Sequence, residues 1–247
     1  MANQHLIKGF DEELQHLDML IQDIGEMAAN QLGTALDAFA EDDRVLAAHI
    51  VERDAEIDHL ESEICHLALR LIALRQPTGR DLRQAFSVYK SATAFERIGD
   101  YAANLAKRLP VLHRGSLADV TRSILEMGWH AQRMTEDIVH AFFGRDASQA
   151  LAIWLRDEEL DVMHTALFRD LLTRMTEDAG NIAAYAHLLF VAKNLERVGD
   201  HVTNIAESLH FLVCGTAIDR VRAKLDMASF SQQTGFVDEI PTRARCR

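Results

Sequence analysis

Apolar residues recur every three or four positions along almost the whole chain, the spacing of one buried helical face. The segment Ile50, Asp54, Ile57, Glu61, Ile64, Ala68, Leu71 alternates steps of four and three, as in a packed helical seam. The segment Ile153, Asp157, Leu160, His164, Leu167, Leu171 does the same. Both seams are unusual in carrying polar residues in line with the apolar stripe.

Punctuation divides this periodicity into six long helices. The first is expected from about Asp11 to Ala40, and the second from Arg44 to Leu74 with Asp42 or Asp43 as its cap, stopping at Gln76-Pro77. Thr78 and Asp81 resemble a capping box opening the third, which ends before Pro110. Ser116 and Asp119 are expected to cap the fourth, which runs to Phe143; Gly144 and Asp146 then separate it from the fifth. Asp178, Gly180 and Asn181 precede the sixth, which ends near Val213 with Gly215 as a stop. Short connections imply antiparallel neighbours. The expected architecture is all-α, with six long antiparallel helices.

The two halves of the chain repeat each other. The phrase RDAEID at 53–58 returns as RDEELD at 156–161, and ERIGDYAAN at 96–104 returns as ERVGDHVTN at 196–204. The protein therefore reads as two tandem, pseudo-symmetric three-helix bundles, residues 1–112 and 113–214, followed by a weakly patterned, locally basic tail, 215–247, read as mobile or loosely docked.

The repeated phrases place acids at one height. If the second and third helices are antiparallel about residue 77, Asp58 faces Glu96 and Asp54 faces Asp100, all roughly 30 Å from the turn at 1.5 Å per residue. In the second half Asp161 falls opposite Glu196 and Asp157 opposite Asp200. Four carboxylates crowded at one level repel and raise one another's pKa, and a multivalent cation relieves that. Oxygen ligands suit hard or borderline ions such as magnesium, manganese, calcium or iron. The candidate metal ligands are Asp54, Asp58, Glu96 and Asp100, then Asp157, Asp161, Glu196 and Asp200. Asn104, Asn204, Glu61 and His164 are additional candidates, His164 standing where Glu61 stands in the first half. Gly99 and Gly199 fit the close approach of a neighbouring backbone or ion, and fit close helix packing nearly as well.

Composition narrows the function. A net charge of −12 disfavours nucleic acid and favours cations or basic protein partners. Cys65, Cys214 and Cys246 follow no metal-ligand spacing and fit a reducing cytoplasm. The N-terminus MANQHLIKGFDEEL lacks the pattern of a signal peptide, and no apolar run is long enough to span a membrane. A cytoplasmic protein is expected.

Isolated acidic pairs are common in so acidic a chain, and Arg97 and Arg197 offer a metal-free way to cancel charge. Glu63 and His66 form one E-x-x-H, the step of di-iron bundles, but the counterparts are Ala166 and Arg169. A carboxylate-bridged di-metal helical-bundle enzyme is thus the alternative reading, and a structural scaffold a third.

With D-x-x-x-D and E-R-[IV]-G-D in each half, and RDLRQA at 80–85, the chain resembles the PhoU family of bacterial phosphate-transport accessory and regulatory proteins. The likeness extends to about residue 213. It implies a metal-associated adaptor without catalytic residues, which negatively regulates phosphate uptake and the phosphate-starvation response. The partners it implies are the ATPase subunit of a phosphate ABC transporter, a membrane sensor histidine kinase and a second copy of the chain. Membrane association would arise only through partners. The family's paired ligands carry over to the same eight acidic residues, and the cofactors expected are divalent or trivalent ions: magnesium, manganese, iron or zinc.

Overall fold

A computed structural model of the chain describes residues 2–112 and 117–219. The six expected helices are present: α1 (Ala2–Glu41), α2 (Arg44–Arg75), α3 (Gly79–Arg108), α4 (Ala118–Gly144), α5 (Ala147–Glu177) and α6 (Ile182–Cys214). Most of the tail assigned to 215–247 lies outside the described residues, as does the expected cap Ser116.

The turns of the two halves are built alike. Asp43 Oδ1 accepts from the Val45 and Leu46 amides at 3.0 and 2.9 Å, and its own N–H donates back to the Ala38 carbonyl at 3.0 Å. Asp146 does the same, capping Ser148 and Gln149 at 2.9 Å while its N–H donates to the Ala141 carbonyl. One aspartate thus closes the preceding helix with its backbone and opens the next with its side chain. The residue before it is left-handed in each case, Asp42 at φ 58° and Arg145 at φ 53°.

Three expectations are corrected. The first helix starts at Ala2 and not near Asp11, because no proline lies ahead of Asp11 to stop the helix extending back. Gly144 is the last residue of α4, and the left-handed position that ends the helix is Arg145. Thr78 precedes α3 but its side chain caps nothing: Gly79, at φ 57°, breaks the geometry that a capping box needs.

The long α3 and α6 form the centre. They run antiparallel, with Phe86 edge-on to Phe211, the Ser87 hydroxyl donating to the Ser208 carbonyl at 3.0 Å, and Arg108 Nη1 3.2 Å from His187 Nδ1. α2 lies along α3 and α5 along α6; α1 and α4 pack on each other beneath the central pair. A single core runs through both halves, from Ile24, Phe39 and Ile57 through Phe95 and Ile98 to Ile138, Val198 and Ile205.

The pseudo-two-fold is visible in side chains. Gly25 of α1 leaves room for Val139 of α4, and Gly128 of α4 leaves room for Leu36 of α1. Residues 25 and 128 are equivalent by the spacing of the repeat, as are 36 and 139, so the two contacts are copies of each other. Among the described residues no helix is long and apolar enough to cross a membrane.

Candidate metal centre

The antiparallel register about Pro77 brings the first-half acids together. Asp58 of α2 with Glu96 and Asp100 of α3 offer carboxylate oxygens that all lie within 4.8 Å of one another. Metal–oxygen distances of about 2.0–2.6 Å put opposite ligands about 4–5 Å apart, so the spacing suits an oxygen-bound cation. Asp54 borders the group and is held by α1: Gln31 Nε2 donates to Asp54 Oδ1 at 2.8 Å and to the Gly99 carbonyl at 3.2 Å. Glu61 lies one turn further, its Oε1 accepting from the Thr93 hydroxyl at 2.9 Å and from the Cys65 thiol at 3.2 Å. Glu61 and Thr93 keep the same register, each sixteen residues from Pro77.

The electrostatics are those of under-compensated acids. Burial raises the Glu96 carboxyl to about 7; Asp100 adds to the rise, Arg97 opposes it, and Asp58 and Glu61 raise it further. Asp54 is also raised, first by burial, against the pull of its hydrogen bond from Gln31, with a push from Asp100, an opposing pull from the Lys107 ammonium and a last push from Asp58. Among the described residues Arg97 is the guanidinium on this group, with Nε 3.3 Å from Glu96 Oε2 and Nη1 2.9 Å from Asp100 Oδ2. The charge-cancelling role expected of Arg97 is therefore real, but it leaves Glu96 raised. The Cys65 thiol is pushed up to about 12, first by burial and then by Glu61, which keeps it a protonated, unreactive donor. Glu63 and His66 are exposed on α2. Asn104 and Asn204, the additional candidates, are half-buried one turn beyond Asp100 and Asp200.

The second half keeps the register but changes the groups. Asp157 is buried and Asp161, Glu196 and Asp200 are half-buried, yet among the described residues they are not gathered to the spacing of the first-half group. Lys193 Nζ sits 2.6 Å from Glu196 Oε2. His164 is buried beside the same pair: burial lowers its pKa, Glu196 raises it and Lys193 lowers it. The glycines serve side chains as well as backbone. A methyl group at 199 would overlap Asp157 Oδ1 and Leu160 Cδ2, and one at 99 would lie 2.8 Å from Ile57 Cδ1.

Four of the residues around these sites were not among the sequence candidates. Gln31 comes from α1, whose pairing with α2 and α3 no repeat phrase announces. Lys193 could have been found, since it stands at the position of Thr93, one turn before the repeated phrase. Tyr101 and His201 are inside the repeated phrases at non-matching positions; their rings stack at 5.7 Å, and Arg197 lies 5.9 Å over Tyr101.

Two stretches, residues 21–109 and 124–209, match the family model described as the PhoU domain. The chain is 44% identical over 227 residues to a Caulobacter vibrioides protein named phosphate-specific transport system accessory protein PhoU homolog, covering 92% of this chain and 99% of that one. It superposes on the crystal structure of PhoU from Pseudomonas aeruginosa with a TM-score of 0.81 at 33% identity, covering 84% of this chain and all of that one. The phosphate transport system regulatory protein PhoU from Streptococcus pneumoniae gives 0.79 at 32% identity, over 85% of this chain and all of that one.

Proposed function

The chain belongs to the PhoU family, and from that premise we propose that it is a cation-loaded accessory protein of a phosphate-specific transport system, acting as an adaptor rather than a catalyst. The observation that carries the reading is the Asp58, Glu96, Asp100 group, drawn within 4.8 Å at the centre of the α2–α3 pair. Asp54 and Glu61 complete its acidic surroundings. When bound, a divalent or trivalent cation supplies positive charge to carboxylates that Arg97 alone leaves under-compensated. Magnesium and manganese suit the all-oxygen donor set, and iron or zinc are the other candidates.

The chain's own residues do the rest. Gln31 fixes Asp54 against the Gly99 backbone, and Thr93 fixes Glu61, so the carboxylates are oriented before a cation arrives. Loading would turn a repulsive acidic patch into a rigid, partly neutralised surface for docking. Residues 1–112 and 113–214 would be the two units, in a cytoplasmic homodimer that reaches the membrane only through its partners. Those partners would be the transporter's ATPase subunit and a sensor histidine kinase, and the outcome would be repression of phosphate uptake and of the starvation response.

Isothermal titration of Mn2+ and Mg2+ into the full chain tests the site. The wild type is expected to give saturable binding that Glu96→Ala/Asp100→Ala removes; equal, negligible heats would discard the first-half site. Pull-down from phosphate-replete cells tests the adaptor role, with a transporter ATPase and a histidine kinase as the expected catch and neither being recovered as the contrary result.

A further inference from the structure

The two halves share a backbone and a register, but not a charge balance. In the first half five carboxylates, Asp54, Asp58, Glu61, Glu96 and Asp100, lie around the Arg97 guanidinium, with the Lys107 ammonium acting on Asp54 from further off. In the second, the position of Glu61 is His164 and the position of Thr93 is Lys193. Where the Thr93 hydroxyl donates to Glu61 Oε1, Lys193 instead places an ammonium 2.6 Å from Glu196 Oε2. His164 packs beside that pair, buried, and presents an imidazole where the first half presents a carboxylate. The amide bracket is missing too: the position equivalent to Gln31 is Met134, fully buried.

We propose that Lys193 is the resident cation of the second half, standing at Glu196 where the first half takes an external metal ion, so that the chain holds metal on one side only. The inference rests on the cation-site reading of the first half and departs from the eightfold, two-site expectation of the sequence. The physical reason is competition. A metal ion entering beside Glu196 must displace an ammonium in direct contact with that carboxylate, next to an imidazole that contributes no negative charge. Among the described residues no ammonium is in ion-pair contact with the first-half acids: Lys107 acts on Asp54 from a greater distance, and Arg97 reaches Glu96 and Asp100 from a half-exposed position and leaves Asp58 to an incoming ion.

This also explains why the repeated phrase is preserved in a half that is not gathered to metal spacing. Glu196 keeps its role as the acceptor of a positive charge, and the charge comes from its own helix, three residues earlier. Glu196 is then compensated whatever the metal supply, while the first-half acids await an external ion.

The test uses the full-length, metal-stripped protein carrying Glu96→Gln/Asp100→Asn, which removes the first-half ligands. Mn2+ bound per chain by equilibrium dialysis and the thermal midpoint with and without Mn2+ are the readouts. This background is expected to bind no Mn2+ and to show no midpoint shift. Adding His164→Glu/Lys193→Thr, which installs the first half's own pair, is expected to create one Mn2+ equivalent per chain and a rise in midpoint. Lys193→Thr alone, a change at a half-exposed side chain, is the milder second variant and is expected to gain the same equivalent at lower affinity. Binding of Mn2+ by the background with Lys193 in place would overturn the proposal, and so would failure of both added variants to gain it. Failure of the wild type to bind Mn2+ would instead remove the first-half reading, a result these comparisons register separately.

Discussion

Tyr101 and His201 occupy the same place in the two repeats, and they stack on each other with ring centroids 5.7 Å apart and planes inclined by 36°. Equivalent residues can meet only where the pseudo-two-fold axis passes, so the pair marks the axis between α3 and α6. The acidic sets flank it, Glu96 and Asp100 on one side and Glu196 and Asp200 on the other. The arginines of the repeated phrases diverge here. Arg97 stays with its own acids, whereas Arg197 lies over the Tyr101 ring of the other repeat. The two halves therefore meet at an aromatic pair with Arg197 over the Tyr101 ring.

Protonating His201 is expected to cost stability. Its pKa is lowered from 6.5, first by burial, with Asp200 opposing and Arg97 and Arg197 reinforcing. The unfolded chain then binds the proton more readily than the native one, so stability falls as pH drops from about 6.5 through the lower native value. His164 has the same sign. Urea unfolding followed across that window is expected to show a shallower decline for His201→Phe than for the wild type; identical slopes would show that His201 titrates normally in the fold.

Glu96 acts in the opposite sense. Its carboxyl is raised from 4.5 to about 7, so the native state gains a proton first and the metal-free protein gains stability as pH falls from about 7 toward 4.5. Discounted for partial solvent screening, the gain is on the order of 1 kcal/mol. His201 and His164 act in the opposite sense over part of this window, so the gain is read as the difference between wild type and Glu96→Gln at each pH. Metal-free Glu96→Gln is expected to be more stable than wild type at pH 8 and to lose the slope. Saturating Mn2+ is expected to remove the wild type's disadvantage by compensating the ionised group.

What the sequence disclosed was whatever the repeat and the helical period carry. Antiparallel counting about Pro77 put Asp58, Glu96 and Asp100 at one height, and the structure brings those three together. Asp43 was legible as a cap because a short acid before an apolar run has few other uses. The helix ends read less well: Arg145 at φ 53° is a residue type that rarely adopts that backbone, and its neighbour Gly144 drew the expectation instead. Contacts between helices distant in sequence were not legible. Gln31 reaches Asp54 because α1 crosses beneath α2 and α3, and no periodicity encodes that crossing. The difference between the halves lay in plain view at Lys193 and Thr93, outside the phrase whose repetition suggested equality.

Alanine at the two repeat glycines is expected to separate them. Each substitution gains about 1 kcal/mol of helix propensity. At 99 the methyl meets only the Cδ1 tip of Ile57, itself 1% exposed, at 2.8 Å, a far shallower overlap than the one met at 199, so Gly99→Ala is expected near neutral. At 199 it overlaps both Asp157 Oδ1 and Leu160 Cδ2, on side chains that are 1% and 0% exposed and have nowhere to go. Overpacking of that kind costs about 1–3 kcal/mol, so Gly199→Ala is expected to be the less stable variant in urea. Equal midpoints would mean that Asp157 is not pinned against α6.

Arg145 tests how the α4–α5 turn is held. Its Nη2 lies 2.7 Å from both carboxylate oxygens of Asp18, tying the turn to α1, while its backbone occupies the left-handed region at φ 53°. The two effects oppose each other: the partly exposed ion pair contributes about 0.5–1 kcal/mol, and the backbone costs a non-glycine residue about 1–2 kcal/mol. Arg145→Ala keeps the strain and loses the pair, and is expected to destabilise by about 1 kcal/mol. Arg145→Gly loses the pair but relieves the strain, and is expected to stand close to wild type. Glycine should therefore outrank alanine in thermal or urea midpoint, the reverse of their order inside a helix. Alanine matching or exceeding glycine would show that residue 145 leaves the left-handed region in solution.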